Sequence, residues 1–170
     1  MIIRELDLSD LEALEQLITK VENNLVKEVL WLPISKESKE HFFDKTWTCF
    51  YGAFDNDKLL GAIGLFFNQN EYGESQRTLH MEDKKIAELG RAMADPNYRN
   101  QKIMTHLADE IMRYASTLNL DAVIATVHPQ NVPSQSFLRR LGFEKRASVV
   151  KREKYERDIL VKEFEEGARR

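Results

Sequence analysis

The segment Asp95-Pro96-Asn97-Tyr98-Arg99-Asn100-Gln101-Lys102-Ile103-Met104-Thr105 is the part of the chain best suited to chemistry. Asp-Pro closes an apolar run, a short polar loop follows, and a helical pattern begins. The first amides of a helix have no carbonyl partner, and the helix dipole places partial positive charge there, so such a start attracts anions. Arg99 and Lys102 add two cations at the same place. One reading is a cradle for a phosphate or pyrophosphate. The other is a strand-to-helix turn with two solvated cations. A second helix start follows His128-Pro129-Gln130, where Asn131 is a natural N-cap and Pro133 fits the first turn. Other reactive residue types are sparse. Cys49, the single cysteine, sits in the alternating apolar run Trp47-Thr48-Cys49-Phe50-Tyr51 and reads as a packed thiol. It makes no disulfide within the chain. His41, His80, His106 and His128 are not spaced as metal ligands, so no metal is expected.

The elements that must position these residues follow from periodicity. Ile2 to Leu6 reads as a strand. Ser9 and Glu12 have capping-box spacing before a helix with Leu11, Leu14, Leu17, Ile18 and Val21 on one face. Leu25 to Ile34 is apolar but interrupted, and Pro33 stops a helix there. Ser35 to about Thr46 reads as a short second helix that buries Phe42 and Phe43. Thr48–Phe54 and Leu59–Phe67 form a hairpin about the turn Asp55-Asn56-Asp57, whose residues tolerate left-handed backbone. Asn68 to about Asp83 is polar and reads as a long, mobile connection. Lys85 to Ala94 is the next strand, and strict alternation puts Glu88, Gly90, Ala92 and Ala94 on one face. Asn100 to Leu118 is a long helix with Ile103, Leu107, Ile111, Ala115 and Leu118 on its apolar stripe. Ala122–Val127 is a continuous apolar run, as a parallel strand buried on both faces would be. Strand, helix and strand then make a right-handed βαβ unit. Phe137, Leu138 and Leu141 line a further helix that Gly142 ends, and two strands, Phe143 to Val150 and Asp158 to Phe164, complete the chain. The order is β-α-α-β-β-β-α-β-α-β-β. This is a mixed α/β (α+β) domain with a mostly antiparallel, twisted sheet of about six or seven strands and about four helices.

Composition narrows the possibilities further. The chain has 170 residues, suited to a single domain over 1–170. A net charge of −3 argues against a nucleic-acid module, which is normally strongly basic. No apolar stretch approaches the roughly 20 residues of a membrane helix, and the first residues do not resemble a signal peptide. The expected location is the cytoplasm.

The stretch from Glu88 to Phe143 resembles the GNAT superfamily of N-acetyltransferases. The family's acyl-CoA motif, Gln/Arg-x-x-Gly-x-Gly/Ala after a strand and an x-Pro-x-Tyr-Arg lead-in, is matched by Asp95-Pro96-Asn97-Tyr98-Arg99. Asn131-Val132-Pro133-Ser134 and Leu141-Gly142-Phe143 resemble the second signature, in family order and spacing. The element order fits the same fold over nearly the whole chain, with a splayed parallel strand pair at the cofactor slot. There are departures. Lys102 and Met104 stand where the motif has small residues, and Leu138 stands where relatives often carry a Tyr general acid.

The resemblance implies transfer of an acetyl group from acetyl-CoA to a primary amine of a small molecule or peptide. Glu88 matches by position a Glu that acts as base in the histone-modifying branch; the alternative is a structural ion pair. The small residues Ala92 and Ala94 leave room for the pantetheine arm, and a backbone amide near Met93 or Ala94 would stabilise charge on the thioester oxygen. Arg99, Asn100, Gln101, Lys102, Ile103, Met104 and Thr105 are expected to meet the phosphates. Asn131, Ser134 and Phe137 are expected along the arm, and Arg140, with Arg139, near the 3′-phosphate. His80 and Tyr155 are weaker acid–base candidates. Homodimers occur in the family. The competing reading is a CoA-binding regulatory module of the same fold that has lost turnover, supported by Leu138 and the missing glycines.

Overall fold

The computed structural model describes residues 1–98 and 102–165. Seven strands form one sheet: β1 (Ile2–Glu5), β2 (Thr48–Asp55), β3 (Lys58–Phe66), β4 (Ile86–Ala94), β5 (Ala122–Val127), β6 (Glu144–Lys151) and β7 (Tyr155–Glu163), in the order β1-β2-β3-β4-β5-β7-β6. Five helices accompany it: α1 (Leu11–Glu22), α2 (Lys36–Glu40), α3 (Gln69–Thr78), α4 (Ile103–Ala115) and α5 (Val132–Arg140). Every strand pair is antiparallel except β4 with β5. The mixed sheet and its one parallel crossover are those expected.

Two cores sandwich the sheet. On one face, Ile103, Leu107, Ala108, Ile111 and Ala115 of α4 pack with Leu138 and Phe143 onto Ile63, Leu65, Leu89, Val123 and Leu160. On the other, Leu14, Leu17, Ile18 and Val21 of α1 pack with Phe42, Phe50, Phe54, Phe66 and Met93. The β2–β3 turn is left-handed at Asn56 (φ 47°) and Asp57 (φ 66°), which matches the twist of the strands it joins.

The structure departs from expectation at several elements. Asn68 to Asp83 is not a mobile connection. It contains α3, capped by the Asn68 side chain accepting from the Asn70 amide at 2.8 Å, with Tyr72, Gly73, Ser75 and Gln76 buried. Gln76 closes the following loop by donating to the carbonyls of Met81 (3.0 Å) and Lys84 (3.2 Å). Polar capping, not an apolar stripe, makes this helix. The capping box before α1 is also one step earlier: Asp7 accepts from the Ser9 amide and Asp10 from the Asp7 amide, both at 2.9 Å. The second helix is only Lys36–Glu40, and Phe43 is half-buried where Phe42 is fully buried. Among the described residues, α4 spans Ile103–Ala115, shorter at both ends than the expected Asn100 to Leu118.

The alternation assumed for β4 also fails, and this matters for the site. Gly64 pairs with Gly90 and Ala62 with Met93, so Arg91 and Ala92 together oppose Ile63. This is a β-bulge, with Arg91 in the left-handed region (φ 54°). The extra residue reverses the phase of the strand. Glu88 and Gly90 share a face with Phe66 and Gly64, and beyond the bulge Met93 takes that face and enters the α1 core. Ala94, opposite Gly61, lies on the α4 face, where a Cβ on Gly61 would meet Ile103 and Leu107.

Candidate active site

The parallel pair β4–β5 is in register only over Ile86–Ala122, Ala87–Val123 and Glu88–Ile124. Past these residues both strands continue without pairing to each other. The result is a V-shaped gap through the sheet, bounded by Leu89–Ala94 on one side and Ala125–Val127 on the other. The bulge at Arg91 turns β4 away at the point where the gap opens. The Asp95 amide donates to the Leu60 carbonyl on the β3 side at 2.7 Å. Amides alternate in direction along a strand, so that of Ala94 points to the opposite edge, into the gap.

A cavity of about 630 Å³ fills this gap and extends over the α1–α3 face of the sheet. Its floor is Phe66, Glu88, Leu89 and Gly90, with Thr126, Val127 and His128 across the gap. Gly90 keeps the floor low: a Cβ there would reach ordinary contact with the Phe66 ring at 3.6 Å and with Glu88 Oε1 at 3.8 Å. Glu88 Oε2 is shut off from solvent and has no hydrogen-bond partner among the described residues. Burial pushes the Glu88 carboxyl above its ordinary range, and the charge of Glu71 adds to this, while Lys151 and Arg91 pull the other way and lose. His128 is buried, and its Nδ1 accepts from the Gln130 amide at 3.0 Å, so the neutral ring carries its proton on Nε2.

The other expected residues divide into five groups. Ala92, Asn131, Ser134 and Phe137 line the cavity together with Glu88, and the Asn131 side chain also caps α5 by accepting from the Ser134 amide at 3.3 Å. Met93 and Ile103 give their side chains to the two cores, so only their backbones face outward chemistry. Lys102 is left-handed (φ 57°) at the start of α4, Thr105 is exposed and Met104 is half-buried, all outside the cavity. Among the described residues, the His106 amide donates to the Lys102 carbonyl at 3.2 Å, and the amides of Ile103, Met104 and Thr105 belong to the first turn, which has no acceptor within α4 itself. Arg99, Asn100 and Gln101 lie outside the described residues. Arg139 and Arg140 are exposed on α5 and do not line the cavity, and neither do His80 and Tyr155.

The lead-in to α4 is held from below. Asp95 is fully buried, accepts from the Asn97 amide at 3.0 Å, and is ion-paired with Lys20 at 3.1 Å and Lys58 at 3.9 Å. Lys58 also stacks over the Tyr98 ring at 4.6 Å. Sequence reasoning missed the far wall of the cavity: Trp31, Arg91, Lys151, Arg152 and Arg157, with Glu37, Glu71 and Glu74 on the opposite rim. Glu37 comes from α2, Glu71 and Glu74 from α3, Arg91 from the bulge in β4, and Lys151, Arg152 and Arg157 from the β6–β7 hairpin, none of them within a motif. The one sequence signal was the pair of cations, Lys151-Arg152, after Val149-Val150.

A family model described as the acetyltransferase (GNAT) family matches residues 12–143 of the chain. Among curated proteins, the uncharacterized N-acetyltransferase YnaD of Bacillus subtilis is 24% identical over 153 residues, which cover 85% of this chain and 79% of that protein. Among solved structures, the PaiA N-acetyltransferase of Thermoplasma acidophilum, in complex with coenzyme A, has a TM-score of 0.65 at 21% identity over 96% of this chain and 100% of that one. The ribosomal-protein-alanine N-acetyltransferase of Brucella melitensis has a TM-score of 0.72 at 17% identity over 96% and 100%. At these identities the structural matches speak for the fold.

Proposed function

The chain belongs to the acetyltransferase (GNAT) family, and from that membership we propose that it moves an acetyl group from acetyl-CoA to a primary amine by direct attack. The observation that carries this reading is the parting of β4 from β5 with a buried, unpartnered carboxylate on its floor. The gap fits the cofactor's arm. Two strand edges without partners can pair with its amides as an added strand would. Acetyl-CoA supplies the acyl group as a thioester, activated toward an amine.

The chain's own groups then have distinct tasks. An acceptor amine is an ammonium ion at neutral pH and must lose a proton before its lone pair can attack. Glu88, with its carboxyl raised toward neutrality by burial, takes that proton directly or through a water. The Ala94 amide, turned into the gap, is placed to donate to the carbonyl oxygen as it gains charge. The new C–N bond replaces the C–S bond, and the departing sulfur takes up one proton. That proton is available from the attacking nitrogen, which loses a second one as the amide forms. Leu138 lines this region and has none to give, and the His128 Nε2–H can offer the departing sulfur a hydrogen bond but, from a neutral ring, no proton.

Thiol release from acetyl-CoA, with a matching mass gain of one acetyl group on the amine, tests the proposal over a panel of amino acids, polyamines, aminoglycosides and peptides. The absence of release above buffer with every amine sinks it. Leu138 favours one second reading, a CoA-binding module without turnover. That reading requires a thermal shift with CoA and no thiol release.

A further inference from the structure

Every buried carboxylate outside the cavity has a cation against it. Asp10 pairs with Arg4 at 2.8 Å, Asp95 with Lys20 at 3.1 Å, and Asp158 with Lys145 at 3.3 Å. The cavity breaks this pattern in the opposite sense. Lys151 and Arg157 are buried, at 7% and 4% exposure, and neither has a carboxylate within 4 Å among the described residues. Arg157 donates to the carbonyl of its neighbour Glu156 at 2.7 Å and lies 5.6 Å from the Tyr155 ring. Arg91 donates to the Leu32 carbonyl and lies 5.2 Å from the Trp31 ring. All three line the same cavity as Glu88.

Burying a cation without a counter-ion is costly, and here two line one cavity, together with the half-buried Arg91, on which the charges of Glu71 and Glu88 act. Glu88 offsets them only in part: its charge acts on Lys151 and Arg91, but its Oε2 makes no hydrogen bond among the described residues, and in the proposed reaction it becomes neutral on taking a proton. Two of the acids of the opposite rim make hydrogen bonds of their own, although the charge of Glu71 also acts on Arg91. Glu71 accepts from Trp47 Nε1 at 3.3 Å and Glu37 from Asn70 at 3.4 Å. The cavity is therefore divided. Its α2–α3 rim carries three acids (Glu37, Glu71, Glu74) and one cation, Arg77, and its wall from the β4 bulge and the β6–β7 hairpin is cationic. A molecule that matches both sides carries an ammonium and an anion. At about 630 Å³, shared with the thioester end of the cofactor, the space is that of a small molecule.

We propose that the acceptor is a small amine that also carries a carboxylate, of the amino-acid class, with the carboxylate held by Lys151 and Arg157, backed by Arg91, and the amine presented to Glu88. Guanidinium and ammonium together suit a planar two-oxygen anion. This deepens the acetyl-transfer reading and rests on it for the word acceptor, but the binding it describes stands apart from turnover.

The test compares matched ligands: the twenty amino acids, their carboxamides, their decarboxylated amines, and phosphoethanolamine as a phosphate-bearing amine. Each is titrated calorimetrically into the full-length protein saturated with CoA, and each is run in the thiol-release assay. At least one amino acid should bind about tenfold or more tightly than its carboxamide, as a charge-assisted pair requires. Lys151→Met and Arg157→Gln should each cut that preference to about threefold or less. Retention of the CoA thermal shift shows that a variant is folded, and the wild-type comparison needs no variant. Equal binding of acid and carboxamide, or preference for polyamines or for phosphoethanolamine, overturns the proposal. Turnover of neutral amines without carboxylate preference overturns it while leaving acetyl transfer intact. Carboxylate preference without any thiol release supports the binding site and sinks the transferase reading.

Discussion

Glu88 is under two opposed influences. Burial favours its neutral acid, and Lys151 and Arg91 favour the carboxylate, with burial the stronger. The upward shift suits a base, because a carboxylate of raised pKa holds an abstracted proton more firmly than an ordinary one. Glu88→Gln keeps the shape and removes the base. Turnover at neutral pH should fall by about tenfold or more, with CoA affinity unchanged, because general-base catalysis is typically worth more than that. Unchanged turnover would reduce Glu88 to a structural role. The same substitution makes a stability prediction of definite sign. The unfolded chain releases this proton near the ordinary value of 4.5, and the native state holds it to higher pH. Over that window the native state binds more protons, so wild-type stability declines as pH rises. Gln does not ionise. Thermal midpoints should therefore move in favour of Glu88→Gln as pH rises above 4.5, with no such gain below it. A gap that is constant with pH would show that Glu88 titrates normally.

At the scale of the element, Asp95 ties the end of β4 to the start of α4. Burial alone would raise its carboxyl; the Asn97 amide and the bond and charge of Lys20, with Lys58 behind it, bring it below its ordinary 3.8. Its contribution is present above 3.8 and is lost as pH falls through the lower native value. Asp95→Asn keeps one acceptor for the Asn97 amide and loses the charge facing both lysines. A loss of about 1–3 kcal/mol at neutral pH is expected from urea midpoints, narrowing below the ordinary carboxylate range. A loss independent of pH would mean that packing, not charge, is what Asp95 supplies. The Asp-Pro-x-Tyr lead-in was legible because turn chemistry is local. So were α4 and β5, whose apolar patterns have one interpretation. What was not legible depends on distant partners. Gln69–Thr78 has Tyr72 as its one large apolar residue, and only the hydrogen bonds of Asn68 and Gln76 reveal a helix. The bulge at Arg91 has only the neighbouring Gly90 to announce it, and the left-handed residue is the arginine itself, yet it decides which face Met93 and Ala94 occupy. Lys151 and Arg157 enter the site from a hairpin remote from every motif, and a basic pair at a strand end reads as surface until the fold is known.

For the molecule as a whole, the sheet has to be shut at one end and open at the other. Three residue pairs join its halves, β1–β4 and β5–β7–β6, along the strands. Just before them, Asp121 acts as a clasp. Its amide donates to the Lys85 carbonyl at 2.7 Å, its carboxylate accepts from the Lys85 amide at 2.8 Å, and its carbonyl accepts from the Phe164 amide at 2.9 Å. Lys85 Nζ adds a bond to the Leu118 carbonyl at 2.9 Å. One residue thus joins the starts of β4 and β5, the adjoining strands of the two halves, to the exit of β7, at the closed end of the V. Asp121→Ala removes only the carboxylate acceptor and leaves the Lys85 amide unpaired. It should cost about 1–3 kcal/mol by urea midpoint. The diagnostic readout is local: amide hydrogen exchange should quicken at Lys85 and through Ile86–Glu88, while α1 and β1–β2, far from the clasp, keep their protection. A ligand that spans the gap contacts both halves and stabilises the native state in proportion to its saturation, so CoA should restore part of the lost protection at the same amides. Exchange that rises uniformly, or that CoA leaves unchanged, would show that the closed end is held by the α4 core and not by Asp121.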